Sequence, residues 1–254
     1  MTILITGGTG NLGRHLTPLL AGATGGVRVL SRKPHQAGDG ISYVTGDLLQ
    51  DQGVAAAVAG ADTIVHLAGS YKGDTQATRN LLREAARAGT SHLLYISVTA
   101  PDRLPFRYYK EKYGAEKAIQ ASATPWTILR AAQFHDLVAI AAGFLAKSLV
   151  VPVPSGIRLQ PVDVRDVAER LAELALAPPA GFVPDIVGPT VYTSGHLFRD
   201  WLHAAGKRRL LLPVRMPGAA GRTYRAGGNL VLDGAQIGKR SWEEYLTERY
   251  GRRD

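Results

Sequence analysis

Apolar positions in the first half of the chain follow two alternating patterns. Six short runs of β-formers recur: Thr2–Thr6, Val27–Leu30, Ile41–Thr45, Asp62–Gly69, Ser91–Ser97 and Pro125–Arg130. Near-continuous apolar runs of this length suit strands buried on both faces. Between them, apolar residues recur at three- and four-residue spacing. Leu12, Leu16, Leu19 and Leu20 form one such stripe; Ala77, Leu81, Leu82 and Ala85, closed by Gly89, form another. A further helix is predicted from about Phe106 past Ile119, after Pro101 and Pro105. Strands alternating with helices predict an α/β fold with a doubly wound parallel sheet.

The alternation breaks between about Gln133 and Arg158, which is expected to cap the carboxyl edge of the sheet. It resumes in Asp163–Ala175, where Val167, Leu171, Leu174 and Ala175 share one helical face, and Val183–Val187 reads as a late strand. Residues 207–228, rich in Gly, Pro and Arg, carry no regular pattern and are assigned to the substrate side. The expectation is one domain over 1–254, with 133–160 and 188–235 forming a smaller substrate-side lobe at its C-terminal part.

Composition narrows the chemistry. The chain has 254 residues, enough for a full core, and no cysteine. Disulfides, thiolate metal sites and a cysteine nucleophile are thereby excluded. His66 stands on an apolar strand with no second ligand at a usable spacing, so it reads as a packed histidine and no metal site is expected. The apolar tract Leu137–Val153 is interrupted by Gly143, Lys147, Ser148 and Pro152. It is too broken to span a bilayer. The first residues carry no basic segment of a signal peptide. These features predict a soluble, cytoplasmic protein without a membrane partner. The net charge of +9 raises nucleic acid as a partner. The basic clusters Arg32-Lys33, Lys207-Arg208-Arg209, Lys239-Arg240 and Arg252-Arg253 are small, dispersed and not interleaved with aromatics, so a basic surface is expected and no nucleic acid.

The chemistry concentrates where the first strand ends, in Gly7-Gly8-Thr9-Gly10-Asn11-Leu12-Gly13. Here a strand feeds a glycine-rich turn that opens a helix. Such a turn lets the backbone approach a pyrophosphate, and the helix N-terminus turns its free N–H groups toward the anion. This predicts a dinucleotide site. Ser31-Arg32-Lys33 follow the second strand, where an acid would accept from the ribose 2′-hydroxyl of NAD. Two cations stand there instead, which favours NADP(H) over NAD(H). Asp47, followed by Leu48, either accepts from the adenine amino group or caps the helix over Val54–Val58. Leu67-Ala68-Gly69, at the end of the fourth strand, lacks bulk and suits close passage of a cofactor.

Tyr108 and Lys112 stand one helical turn apart. A cation beside a phenol favours the phenolate and brings proton exchange toward neutrality. Lys112 can also donate to the nicotinamide ribose, and Thr99 can hold a substrate carbonyl from the other side. The spacing repeats at Tyr113 and Lys117. Five positions rotate a helix by about 140°, so the two pairs cannot both face one cleft.

With these residues in hand, the chain resembles the short-chain dehydrogenase/reductases, in their atypical, NmrA-like NAD(P)H-binding branch. The resemblance rests on Thr6–Gly13, Ser31-Arg32, Gly46-Asp47-Leu48, His66–Gly69, Tyr108–Lys112 with Glu116, Pro125–Arg130 with Gln133-Phe134-His135, and Val162–Ala168. It implies a Rossmann-type sheet. The glycine turn maps onto Gly7, Gly10 and Gly13, and the cofactor lysine onto Lys112. The family's serine or threonine maps onto Thr99, with Ser97 as the alternative, and its tyrosine onto Tyr108, with Tyr109 as the alternative. Gln133 and Phe134 join the cofactor contacts. His135, Asp136 and Asp163 lie near the family's pocket, either assisting proton transfer or serving as structural hydrogen-bonders. The implied function is NADPH-dependent reduction of a small, fairly apolar carbonyl or quinone-like substrate by hydride transfer. The alternative is a non-catalytic NADP(H)-binding redox sensor. A sugar-nucleotide epimerase is disfavoured by the short segment from Thr99 to Tyr108.

Overall fold

Strand β1 (Ile3–Thr6) is the hinge of the topology. In the computed structural model, which describes residues 1–251, it is followed by α1 (Gly13–Thr24), β2 (Val27–Ser31), β3 (Ile41–Thr45), α2 (Val54–Val58) and β4 (Thr63–His66). Next come α3 (Asp74–Ala88), β5 (His92–Val98), α4 (Arg107–Gln120) and β6 (Trp126–Ala131). β1 pairs in parallel with β2 and β4, β2 with β3, and β4 with β5, in the order β6-β5-β4-β1-β2-β3. The chain steps outward from β1 to β3, then returns to β4 on the other side of β1. A crevice therefore opens at the carboxyl ends of β1 and β4, the place where such sheets take a ligand.

These elements form the first of two units: residues 1–97, 107–130 and 167–183. Its buried core joins Leu4, Ile64 and Leu93 of the strands to Val54, Leu81 and Ile119 of the helices. Gly25 and Gly89 end α1 and α3 in the left-handed conformation that helix C-termini favour. α4 is tied to β6 by a bidentate ion pair: Arg130 Nε and Nη2 donate to the wholly buried Glu116 at 2.8 and 2.6 Å.

The chain continues through α5 (His135–Leu145), β7 (Val150–Pro154), β8 (Arg158–Leu159), α6 (Val164–Leu176), β9 (Gly181–Phe182) and β10 (Ile186–Val187). It ends with β11 (Tyr192–Thr193), α7 (Ser194–Ala204), β12 (Leu210–Val214), α8 (Gly218–Arg225), β13 (Gln236–Ile237) and α9 (Trp242–Tyr250). β9 joins the first unit beside β6. The second unit comprises residues 98–106, 131–166 and the chain from Pro184 on. It has its own core, in which Val138, Ala142, Val151, Trp201 and Leu246 gather around the stacked rings of Trp242 and Tyr245. β7 and β12 pair in parallel, as do β10 and β13, while β8 and β11 are antiparallel.

Several sequence expectations change here. Of the late strand expected over Val183–Val187 only Ile186-Val187 forms, as β10; β9 lies just before the expected range, and Pro184 between them lacks the N–H that a continuous ladder needs. Helices α7 and α9 were not anticipated, although a Ser241/Glu244 capping box starts α9 and Thr193 caps α7. Residues 207–228 hold β12 and α8. The second unit is broader than 133–160 with 188–235, since it includes 98–106 and α9. The Arg252-Arg253 cluster lies outside the described residues. Among the described residues no helix is long and apolar enough to cross a membrane.

Candidate functional site

A cleft of about 360 Å³ opens in the first unit over the ends of β1, β2, β3 and β4. Thr6, Gly7, Thr9 and Gly10 line one side, Ser31, Arg32, Asp47 and Leu48 an end, and Leu67, Ala68, Gly69 and Asp74 the other side. The glycine turn is shaped by contact. Gly7 has φ +74°, and a Cβ there would lie 2.7 Å from the Ala68 nitrogen. A Cβ on Gly13 would lie 2.3 Å from the Gly7 carbonyl oxygen. The turn closes through the Gly10 N–H, which donates to the Gly7 carbonyl at 3.0 Å. Leu12, the N-cap residue of α1, supplies no side-chain cap, and no acid stands in the first turn. The start of α1 thus keeps its positive end for an anion. Asn11 is turned to the Arg14 guanidinium.

At the cleft's far end the Ser31 hydroxyl accepts from the Lys33 N–H at 3.2 Å and contacts His35 Nε2 at 3.0 Å. Asp47 Oδ1 accepts from the Leu49 and Gln50 N–H groups at 2.8 and 3.1 Å. It caps its own turn and not α2, whose N-cap is Gly53 in the left-handed conformation.

Behind Gly69 lies a buried polar cluster. Lys112 Nζ is 3.2 Å from Asp74 Oδ2, and the two side chains are only 4% and 2% exposed. Nζ also donates to the Tyr95 hydroxyl at 3.1 Å and to the Ile96 carbonyl at 3.3 Å, and lies 4.7 Å from the Tyr95 ring centroid. The Tyr95 hydroxyl donates to Asp74 Oδ2 at 3.2 Å. Where Gly69 would carry a Cβ, Lys112 Nζ stands 3.0 Å away.

A second chain of hydrogen bonds reaches the same acid from the glycine turn. The Ala68 N–H donates to Thr6 Oγ1 at 3.3 Å, and Thr6 Oγ1 lies 2.7 Å from His66 Nδ1. His66 Nε2 lies 3.1 Å from Thr78 Oγ1, which donates to the Asp74 carbonyl at 2.8 Å. The Thr78 proton is spent on that carbonyl, so His66 Nε2 must carry the hydrogen and Nδ1 must accept from Thr6. His66 is therefore a neutral, fully satisfied core histidine. Burial lowers its pKa to about 4, with the Asp74 charge opposing and the Lys112 charge assisting.

The expected Tyr108–Lys112 coupling takes a different form. Lys112 is committed to Asp74 and Tyr95, and Tyr108 is pushed up to about 12 by burial, then by the charge of Asp74, then by Tyr109. A neutral phenol replaces the phenolate expected from the spacing. Tyr108 is half-buried, Tyr109 is buried, and their rings meet edge-on with centroids 5.7 Å apart. The repeat pair is occupied with itself: Lys117 Nζ lies 5.2 Å from the Tyr113 ring centroid. Ser97 Oγ is buried with no hydrogen-bond partner among the described residues.

Thr99, Gln133 and Phe134 belong to the second unit. The Thr99 hydroxyl is buried 3.5 Å from the Asn229 carbonyl, the Gln133 carbonyl accepts from the Val162 N–H, and Phe134 is the N-cap residue of α5. His135, Asp136 and Asp163 also lie in the second unit. His135 Nε2 donates to the Pro161 carbonyl at 3.1 Å, and Asp136 accepts from Tyr245 at 3.3 Å. Burial raises the Asp163 carboxyl, yet its bonds to Arg165 hold it well below the usual carboxylate range. Asp74, Tyr95, Thr6 and Thr78 were missed from the sequence, because each is brought to Lys112 or His66 by the sheet and not by local spacing.

A glycine turn closed to a Cβ at Gly7 and Gly13, a helix start without an acid and a cleft ending in Ser31-Arg32 together fit a dinucleotide. Residues 7–178 match the model of a family described as NAD(P)H-binding. This chain belongs to that NAD(P)H-binding family. The ceramide reductase of Caulobacter vibrioides is 30% identical over 235 residues, covering 85% of this chain and 74% of the relative. Two solved structures share the fold, each covering 98% of this chain. The NADPH-dependent quinone oxidoreductase of Escherichia coli, complexed with NADPH, has TM-score 0.83 and 18% identity over 99% of its chain. The triphenylmethane reductase of Citrobacter sp., complexed with NADP(H), has TM-score 0.79 and 19% identity over 100% of its chain. The fold of this NAD(P)H-binding protein is Rossmann-type. Relatives named as reductases support an oxidoreductase.

Proposed function

We propose that this protein is an NADPH-dependent reductase of a small, fairly apolar carbonyl or quinone-like substrate. The observation that carries the reading is the position of the Lys112–Asp74 pair, immediately behind Gly69 at the wall of the dinucleotide cleft.

In this reading the glycine turn and the start of α1 hold the diphosphate, and Ser31 and Arg32 receive the 2′-phosphate. When bound, the reduced cofactor supplies a hydride. Asp74, Tyr95 and the Ile96 carbonyl hold Lys112 Nζ behind Gly69, where exchanging one of these contacts for a ribose hydroxyl would bring it onto the cofactor. Tyr108 stays protonated across the neutral range, as a proton donor to a developing alkoxide or phenolate requires. Thr99 is left out of this scheme, because its hydroxyl sits against the Asn229 carbonyl.

The Caulobacter relative is named for a lipid substrate and the E. coli structure for a quinone, and both agree with an apolar substrate. The test is NADPH oxidation followed against panels of quinones, ketones and long-chain carbonyl compounds. Turnover of at least one class supports the reading. A protein that binds NADPH and turns over none of them would contradict it and favour the redox-sensor alternative.

A further inference from the structure

Helix α5 is apolar on two opposite faces. Val138, Ala139, Ala142 and Ala146 face the core of the second unit, where Trp201 lies against Gly143. Leu137, Ile140 and Phe144 lie on the other side and are 57%, 67% and 66% exposed. A helix apolar all round is expected to be covered all round. The β7–β12 sheet repeats the arrangement. Val151 and Val153 point into the core, while Val150 and its register partner Leu210, and Leu212 beyond, are exposed. The two surfaces meet: the Leu210 N–H donates to the Leu149 carbonyl at 3.1 Å, and Arg209 Nε donates to the Ala146 carbonyl at the end of α5 at 3.1 Å. Exposed apolar side chains on both of these joined elements mark an interaction site.

Charge says what covers it. Residues 137–162 and 201–232, the segments that include these elements, contain eight Lys and Arg and no Asp or Glu, with Asp136, Asp163, Asp200 and Asp233 adjoining their ends. Lys147 lies against the exposed Phe144 ring at 5.4 Å, so a cation borders the outward apolar residues directly, and Lys207 lies 5.5 Å from the ring of the core residue Trp201. A second copy docked through the same face would set these cations against themselves. A protein partner would call for aromatic anchors and about one hydrogen bond per 100–200 Å². The outward positions here are aliphatic apart from Phe144 and offer no side-chain hydrogen bond. A bilayer with anionic headgroups asks for none, and takes apolar side chains below a ring of cations.

We propose that this face of the second unit docks on an anionic lipid bilayer surface, with Ile140, Phe144 and Leu210 entering the interface and the surrounding Lys and Arg meeting the headgroups. The docking is peripheral, it departs from the sequence expectation of no membrane partner, and it does not rest on the reductase reading.

The experiment is co-sedimentation of the full chain with phosphatidylcholine vesicles, with and without phosphatidylglycerol, at low and high salt. Binding is expected only with phosphatidylglycerol, and to weaken at high salt. Ile140→Ser/Phe144→Ser and, separately, Arg208→Glu/Arg215→Glu should each lose roughly tenfold or more in vesicle affinity. Lys110→Glu/Lys117→Glu on α4 makes the same change of charge elsewhere and should retain binding. All these positions except Lys117 and Phe144 make no ring contact, and unchanged NADPH binding and melting temperature confirm that the variants fold. Absence of phosphatidylglycerol-dependent binding in the wild type would overturn the proposal. So would full binding by the Ile140/Phe144 variant, or vesicle-free self-association that this variant abolishes.

Discussion

Lys112 Nζ and Asp74 Oδ2 stand 3.2 Å apart with almost no access to water. Neither charge is tolerable there alone. Asp74→Asn strands the ammonium, and Lys112→Met leaves the carboxylate with only the Tyr95 hydroxyl and the start of α3. Each single variant should lose about 3–5 kcal/mol of stability, the usual cost of breaking a buried pair. The double variant should lose clearly less than the sum, because the second change removes the charge that the first left bare. Urea denaturation of the four proteins measures this, and simple additivity would show that the pair is not coupled.

The pair also shows how far the sequence could be read. The parallel strands were legible because each is a short, near-continuous apolar run closed by Gly or polar residues, helices α1 and α3 because their apolar spacing is regular, and α4 because Pro101 and Pro105 mark where a new element begins. The glycine turn was legible because strand, turn and helix are contiguous. Lys112 was found, but for a neighbour it does not serve. Its partners, Asp74 and Tyr95, are 38 and 17 residues away and meet it only through the packing of α3 and β5 with α4. The second unit resisted for another reason. Its two-residue strands are too short to carry a period, and its helices are cued by caps such as Ser241/Glu244 more than by apolar stripes. Glu116 and Arg130, matched separately in the sequence, prove to be one ion pair with the carboxylate buried.

His66 predicts an acid-dependent stability. Its pKa falls from 6.5 to about 4 in the folded state. Between those values the unfolded chain holds a proton that the native state lacks, so stability rises with pH across the window and is lost on acidification. The full loss from this one group is about 3 kcal/mol. Denaturation midpoints measured from pH 7 down to 4 should show the decline, and a folded His66→Gln variant should show a shallower one.

Arg32 predicts cofactor preference. Arg32→Ala removes a charge-assisted contact worth about 1.5–3 kcal/mol, so NADPH binding should weaken roughly 10- to 100-fold. NADH binding should change little. Calorimetric titration with both nucleotides decides it, and equal losses would place the 2′-phosphate elsewhere.

Tyr108 predicts a division between chemistry and binding. Tyr108→Phe should lower kcat by about 10²-fold or more, the usual contribution of a positioned acid. NADPH affinity should hold, because Lys112 and the glycine turn are untouched. Tyr109→Phe should leave kcat near the wild-type value. The opposite pattern would give the proton to Tyr109.

The most direct measurement is a fluorescence titration of the wild type and Gly10→Val with NADPH. Gly10 lines the cleft with an ordinary backbone conformation, and a Cβ there meets only the Gly7 carbonyl oxygen, at 3.2 Å. The variant should therefore fold and yet obstruct the diphosphate. Saturable binding to one site in the wild type, lost in Gly10→Val at unchanged melting temperature, is the predicted result. A wild type that gives no signal, or a variant that binds equally well, would contradict the account.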